Sequence, residues 1–174
     1  MNHLHFIKNT RGLAQASFIA AVYTVLTLLA ASWGLAFGPV QFRFSEALTI
    51  LPVFTPAAVP GLTLGCLLSN LFSGYGLYDM IFGTLATFLS AIATRMLRSI
   101  RWKNLPIPAA LPPVLFNAGI VGAEIVCLSP TGFAWGAFWS TALSIGAGEL
   151  AVCCALGLPL AAALERSGAA AKIF

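Results

Sequence analysis

The sequence predicts an all-α integral membrane protein, organised as a bundle of six helices. Hydrophobic residues make up 59% of the 174 residues and charged residues only 8%, whereas soluble domains have roughly 45–50% and about 25%. The mean hydropathy is +0.92, and long uncharged runs separate the few ionisable residues. A water-soluble globule of this composition would have to cover its surface with apolar side chains, so that class of protein is excluded.

The lengths of the uncharged runs predict where helices cross the membrane. Between Arg11 and Arg43 lie 31 residues without a formal charge, and between Glu46 and Asp79 lie 32. A membrane-spanning helix needs about 20 mostly apolar residues. We predict one transmembrane domain over residues 1–174 with six spans, at about 12–32, 43–57, 58–73, 78–100, 106–128 and 132–164.

The second and third predicted spans share one uncharged run, and each is shorter than an ordinary span. Pro52, Pro56 and Pro60 interrupt this run. Proline lacks the amide hydrogen that an α-helix needs and clashes with the preceding turn. A bent pair of short helices is therefore expected in place of one long helix.

The positions of Lys and Arg predict the orientation. With six spans, three basic groups fall on one side of the membrane, and they are Lys8 and Arg11, then Arg95, Arg98, Arg101 and Lys103, and finally Arg166 and Lys172. Basic residues favour the cytoplasmic side, so both termini are expected to be cytoplasmic, with Arg43 on the outer side. We interpret the net charge of +4 as a topology signal and expect no nucleic-acid partner.

Small residues at every fourth position predict close helix packing. Two ladders run along the third and sixth predicted spans: Gly61, Gly65, Ser69 and Ser73, and Gly132, Gly136, Ser140, Ser144 and Gly148. We interpret both ladders as packing inside the bundle. The first span has two such pairs, Ala16 with Ala20 and Ser17 with Ala21. These pairs are either internal packing or a surface for a partner protein.

Ionisable and amide side chains lie in or beside the predicted spans, namely Arg43, Glu46, Asp79, Glu124, Glu149, Asn70 and Asn117. Ionisable groups at membrane depth are costly and usually mark function. Arg43 and Glu46 are three residues apart, so on a helix they share a face and can form a structural ion pair. One Arg cannot neutralise four carboxylates, however. The remaining acceptors predict a ligand that donates hydrogen bonds or carries positive charge. Asn117 and Glu149 are expected to lie deeper than the others.

Aromatic side chains gather near the same outer side. Trp135 and Trp139 are four residues apart, hence on one helical face, and they begin the span that carries Glu149. Their rings would suit stacking on a planar heterocycle held by the carboxylates. The alternative is the belt of Trp and Tyr that marks membrane interfaces.

Motifs for catalysis are lacking in the sequence. It has no phosphate-binding loop of the G-x-x-x-x-G-K-[ST] type, so nucleotide hydrolysis by this chain alone is not expected. The two His residues, His3 and His5, lie near the N-terminus, and the four Cys residues have no C-x-x-C spacing. We therefore predict that the chain is not an enzyme and uses no metal or cofactor.

The stretch from Val40 to Thr49, VQFRFSEALT, resembles a signature of the QueT family of queuosine-precursor transporters. The resemblance extends from about Thr10 to Glu165, and its further matches are Gly65-Cys66, Asn70, Gly76 to Asp79, Gly83-Thr84, Ala86-Thr87, Pro113 to Asn117, Gly122 to Glu124, Gly148-Glu149 and Gly157 to Pro159. Their order and spacing together are specific, although no single motif is.

The resemblance implies a substrate-binding S-component of an energy-coupling factor (ECF) transporter in a bacterial plasma membrane. Such proteins have six helices and work with a transmembrane T-component and two cytoplasmic ATPases. Small residues on their first helix contact the T-component, which matches Ala16 and Ala20, with Ser17 and Ala21 as a neighbouring register. The implied mechanism is toppling of the S-component in the membrane. The implied substrate is queuine or a related 7-deazaguanine.

Three alternatives remain open from the sequence. The chain could be an S-component for another vitamin, such as riboflavin or thiamine; biotin and folate are disfavoured because only Arg43 offers an outer cation. It could also be a self-sufficient carrier driven by protons, with Glu149 or Glu124 as the proton site. A purely structural membrane protein is the weakest alternative, since it leaves the acidic residues unexplained.

Overall fold

The computed structural model describes residues 10–37, 39, 41–130, 132–168 and 170, in which the regular elements are helices and one isolated bridge joins Trp102 and Leu105. The helices are α1 (Thr10–Ser32), a 3-10 helix (Phe44–Val53), α2 (Ala58–Asn70), α3 (Leu77–Met96), α4 (Ile107–Cys127) and α5 (Trp135–Arg166). The predicted all-α class is confirmed. Four of these helices, α1, α3, α4 and α5, are long and apolar enough to cross a membrane. His3, His5, Lys8 and Lys172 lie outside the described residues.

The 3-10 helix differs from the α-helix expected for the second span. It lies in the middle of the bundle, and most of its side chains, including Ser45, Glu46 and Ile50, are buried. Pro52 lies inside it and cannot donate an amide hydrogen to the preceding turn. The Thr49 hydroxyl also donates to the Glu46 carbonyl at 2.6 Å. Both features disfavour an α-helical register here.

Helices α1 and α2 lie side by side and run in the same direction. A methyl group added at Gly61 would lie 2.8 Å from the Ala16 carbonyl oxygen, and one at Gly65 would lie 2.8 Å from Tyr23 Cβ. The glycine ladder of the third predicted span therefore packs inside the bundle, as predicted. Ala16 and Ala20 are only 5% exposed, because they form the α1 side of this contact.

The burial of Ala16 and Ala20 favours internal packing over a free docking surface, the two interpretations left open for this pair. Ser17 and Ala21, by contrast, are exposed on the outer face of α1. The predicted packing of the α5 ladder inside the bundle is wrong for its first half. Added methyl groups at Gly132 and Gly136 would contact nothing within 4 Å, and Ser140 is exposed.

Helices α4 and α5 each contain a π-helical turn, at Asn117–Val121 and Cys153–Gly157. Such turns widen the helix and often occur at functional sites. Pro159 follows the second one closely, and its missing amide hydrogen disrupts the regular hydrogen-bond ladder. The two turns lie next to the polar residues described below.

The bundle has two ends of opposite character. At the first, which we call the cluster end, α1, α2 and α4 finish while the 3-10 helix, α3 and α5 begin. At the second, the basic end, the described basic residues are Arg11, Arg95, Arg98, Arg101, Lys103 and Arg166. There Arg95 donates to the carbonyls of Pro52 and Val53 at 2.9 and 3.2 Å. These hydrogen bonds satisfy two backbone carbonyls in the last turn of the 3-10 helix.

Candidate functional site

Seven of the nine predicted substrate-binding residues are buried at the cluster end, and each is at most 5% exposed. We call them the polar cluster: Arg43, Glu46, Asn70, Asp79, Asn117, Glu124 and Glu149. They come from the 3-10 helix and from α2, α3, α4 and α5, and Arg43 is close enough to all four carboxyl groups to attract each of them. The fold therefore brings together residues that are up to 106 positions apart in the sequence.

Arg43 lies just before the 3-10 helix, in an extended backbone conformation. Its Nε donates to the Ala36 carbonyl at 2.7 Å, and its guanidinium lies 5.4 Å from the centre of the Phe37 ring. Arg43 does not form the structural ion pair with Glu46 that their spacing allows; among the described residues, an ion pair joins Arg101 and Glu165. Arg43 is not helical, so the spacing of three does not bring the side chains together. Its Nη2 has no partner among the described residues.

Glu46 is held by a residue that the sequence analysis missed. The Tyr23 hydroxyl, which is fully buried on α1, donates to Glu46 Oε1 at 2.5 Å. The second carboxylate oxygen, Oε2, has no hydrogen-bond partner among the described residues. Tyr23 thus orients Glu46 and leaves one acceptor available.

Glu149 lies beside Asn117, the first residue of the α4 π-turn. No hydrogen bond joins them, and both oxygens of Glu149 and both polar atoms of Asn117 lack partners among the described residues. The neighbouring Gly148 meets the Gln41 backbone so closely that an added methyl group would lie 1.9 Å from the Gln41 oxygen. This contact places Glu149 beside the segment that leads into the 3-10 helix.

The second half of the polar cluster lies where α2 leads into α3. The Ser73 hydroxyl donates to Asp79 Oδ2, and Asn70 Nδ2 donates to the Asp79 carbonyl at 2.8 Å. Gly83 makes room for this amide, since an added methyl group would lie 2.8 Å from Asn70 Nδ2. Glu124 lies next to Asp79, and neither of its oxygens has a partner among the described residues.

These contacts leave an excess of hydrogen-bond acceptors in an apolar surrounding. Five carboxylate oxygens are buried without a partner in the described part of the chain: Glu46 Oε2 and both oxygens of Glu124 and Glu149. Burying such oxygens without a partner is costly. They can be satisfied by protonation, or by a bound molecule with N–H donors or positive charge. Within the described residues, no group of His, Cys, Asp and Glu could hold a metal ion.

Trp135 and Trp139 are not brought to the polar cluster. They are 67% and 59% exposed, and Trp139 lies about 15 Å along the helix axis from Glu149. Both belong to an aromatic group at the start of α5, in which Phe133 contacts Trp135 and Phe138 contacts Trp139, each with ring centres 5.1 Å apart. This arrangement fits a membrane-interface belt.

Three further polar residues near the cluster were missed from sequence: Tyr23, Ser73 and Gln41. Gln41 is 2% exposed and its Oε1 has no partner among the described residues. A signal existed for Gln41, which lies two residues before Arg43 within the VQFRFSEALT stretch. Tyr23 offered a weaker one, as a phenolic hydroxyl in a long, mostly apolar helix.

Comparison with known proteins agrees with this picture. The family described as QueT transporter matches residues 13–166. The queuosine precursor transporter QueT of Lactococcus lactis subsp. cremoris (strain MG1363) is 32% identical over 80 residues, which are 46% of this chain and 47% of that protein, so the match spans about half of the relative's length. No solved structure matches. The chain is thus a multi-pass membrane protein that belongs to the QueT transporter family.

Proposed function

We propose that this protein is the substrate-binding S-component of an ECF importer and that the polar cluster binds a 7-deazaguanine precursor of queuosine. The observation that carries the proposal is the set of buried carboxylate oxygens without partners among the described residues. The name of the Lactococcus relative, queuosine precursor transporter, supports the choice of substrate.

The chemistry of a 7-deazaguanine matches these acceptors. Its ring N–H and exocyclic amine are adjacent donors, which one carboxylate can accept together. The cationic amine of queuine would suit a second carboxylate. The cluster has two acidic pairs, Glu46 with Glu149 and Asp79 with Glu124. One pair can accept the hydrogen bonds of the ring N–H and exocyclic amine, and the other can bind the cationic amine. Asn117 or Asn70 would then read the ring carbonyl.

We further propose that the single transmembrane domain crosses a bacterial plasma membrane six times, with both termini in the cytoplasm. The described basic residues other than Arg43 lie at the basic end, which would be the cytoplasmic side. The cluster end would then face outward to capture substrate. A T-component and two cytoplasmic ATPases would supply the energy for inward delivery by toppling. Ser17 and Ala21 are the members of the predicted docking pairs that are exposed, so they would contact the T-component.

Direct binding tests this function. Purified protein in detergent is titrated with queuine, shorter deazaguanines, riboflavin and thiamine, and its thermal unfolding is followed. A ligand at about 100 times its Kd stabilises the folded state by about 2.7 kcal/mol. We expect this effect from a deazaguanine alone, without any partner protein. Stabilisation by riboflavin or thiamine instead would keep the S-component proposal and overturn the substrate.

The burial of Glu149 favours a second candidate, a carrier that works alone and is driven by protons. A buried carboxyl group with two unpartnered oxygens can take up and release a proton during transport. Uptake in a host that lacks an ECF module distinguishes the two candidates. The S-component requires the module, whereas the carrier transports without it.

A further inference from the structure

A groove of about 650 Å³ lies at the basic end, far from the polar cluster. One side is the connection between α3 and α4, with Lys103, Asn104 and Leu105, and the other is the end of α5. Glu165 on its rim is 16 residues after Glu149 along α5, or about 24 Å along the axis. Substrate binding as proposed above does not involve this groove.

The groove carries unbalanced positive charge. Lys103 and Arg166 line it, and neither side chain forms a hydrogen bond or an ion pair with another described residue. The acidic residue on its rim, Glu165, is already paired with Arg101. The groove therefore presents two cations and no free anion among its described lining residues.

One wall of the groove is apolar and leads to a cation. Leu158, Ala162 and Arg166 follow each other at intervals of four, so they lie along one face of α5. Leu105 faces this wall from the other side. The groove thus has an apolar wall along the helix and a positively charged mouth at the helix end.

The turn that holds Lys103 has a defined and strained shape. Lys103 and Asn104 have φ angles of +50° and +64°, a left-handed conformation that is costly for residues other than glycine. Trp102 and Leu105 close the turn with two backbone hydrogen bonds of 2.9 and 3.0 Å. Trp102 is 64% exposed, as expected of a Trp at a membrane interface.

We propose that this groove binds an anionic phospholipid, with the phosphate between Lys103 and Arg166 and an acyl chain along Leu158 and Ala162. In this proposal the positive mouth lies at headgroup depth and the apolar wall lies toward the hydrocarbon, because Arg166 ends a helix long enough to cross a membrane. A free anion would use the cations and leave the apolar wall unoccupied. Basic pockets between transmembrane helices are suited to anionic headgroups.

Quenching of Trp102 fluorescence by brominated lipids tests the proposal. The full chain carries Trp33→Phe, Trp135→Phe and Trp139→Phe, so that Trp102 is the remaining Trp reporter. In detergent it is titrated with phosphatidylglycerol or phosphatidylcholine, each brominated on the acyl chain. We expect phosphatidylglycerol to quench at about thirtyfold lower concentration, since each of the two basic residues contributes about 1 kcal/mol near an anionic headgroup.

Two variants and a control decide the outcome. Lys103→Gln with Arg166→Gln should abolish the preference for phosphatidylglycerol, and Ala162→Phe should weaken quenching by both lipids by filling the groove. Arg98→Gln removes an exposed cation at the same end that does not line the groove, and it should keep the preference. Equal quenching by the two lipids, or an unchanged preference in the double variant, overturns the proposal. Displacement of the lipid by inorganic phosphate at equal concentration would assign the cations to a free anion and also overturn it.

Discussion

The two ends of this bundle hold their charges in opposite ways. At the cluster end, four carboxyl groups and Arg43 are buried, and several of their atoms have no partner among the described residues. At the basic end, Arg101 and Glu165 form an ion pair while remaining 36% and 31% exposed. Charges at the basic end can be solvated, so they cost little and serve orientation. The buried charges at the cluster end cannot be solvated in this way, which is why we assign them to binding.

The comparison predicts that the cluster end tolerates substitutions far less well than the basic end. Acid and cation substitutions can each be made at both ends with similar chemistry, while the glycine and alanine substitutions each compare two positions on one helix. We expect the largest loss of stability or affinity from displacement of the backbone. Loss of a buried carboxylate and overpacking of a helix contact should have intermediate effects. Loss of an exposed ion pair should have the smallest.

Gly148→Ala should have the largest effect. The added methyl group would meet the Gln41 backbone oxygen at 1.9 Å, so the chain leading to Arg43 must move. We expect a loss of about 3 kcal/mol in unfolding free energy, measured by denaturant unfolding in detergent, together with loss of deazaguanine binding. Gly136→Ala on the same helix has open space and should be neutral or slightly stabilising. Similar results for the two variants would contradict the close approach of Gln41 to α5.

Glu149→Gln should reduce deazaguanine affinity by about 10- to 100-fold, because a hydrogen bond to a charged group contributes about 1.5–3 kcal/mol. The measurement is a binding titration on purified protein. Glu165→Gln makes the same chemical change at the basic end and should leave this affinity unchanged. If both variants bind like the unmodified protein, Glu149 is not part of the binding site.

Two substitutions on α1 separate internal packing from docking. Ala16→Trp should destabilise the protein by about 1–3 kcal/mol, since Ala16 packs against Gly61. Ala21→Trp is on the exposed face and should leave the unfolding free energy unchanged while reducing co-purification with a T-component. Leu143→Trp, on the exposed side of α5, controls for bulk on the membrane-facing surface. Intact co-purification of the Ala21→Trp variant would rule out this docking face.

Arg101→Gln should have the smallest effect, below about 1 kcal/mol, because its ion pair with Glu165 is partly exposed. Arg43→Gln, at the buried end, should cost more than this, since the carboxyl groups around it lose their one cation. Thermal unfolding of both variants at two salt concentrations checks the contrast. Added salt should weaken the Arg101 contribution further and leave the Arg43 contribution nearly unchanged.

The spacing of charges predicted the bounds of two long helices closely, since α1 begins and ends within two residues of the predicted first span, 12–32, and α4 within one residue of the predicted fifth, 106–128. The reason is that a charged residue in lipid is costly whatever its neighbours are. The same rule identified the seven residues of the polar cluster as unusual. It carried no information on which of them meet, or on whether Trp135 and Trp139 join them.

Helix register and local winding depend on contacts between distant residues. Ala16 with Ala20 and Ser17 with Ala21 have the same spacing, and the glycines of α2 select which pair is buried. Glu149 lies near Glu46 because Gly148 admits the Gln41 backbone, and Tyr23 reaches Glu46 because α1 packs beside the 3-10 helix. Composition and charge spacing thus determine that the chain is helical and embedded in a membrane, since lipid acts on each residue separately. The binding site depends on close packing between helices, which acts on residues in pairs.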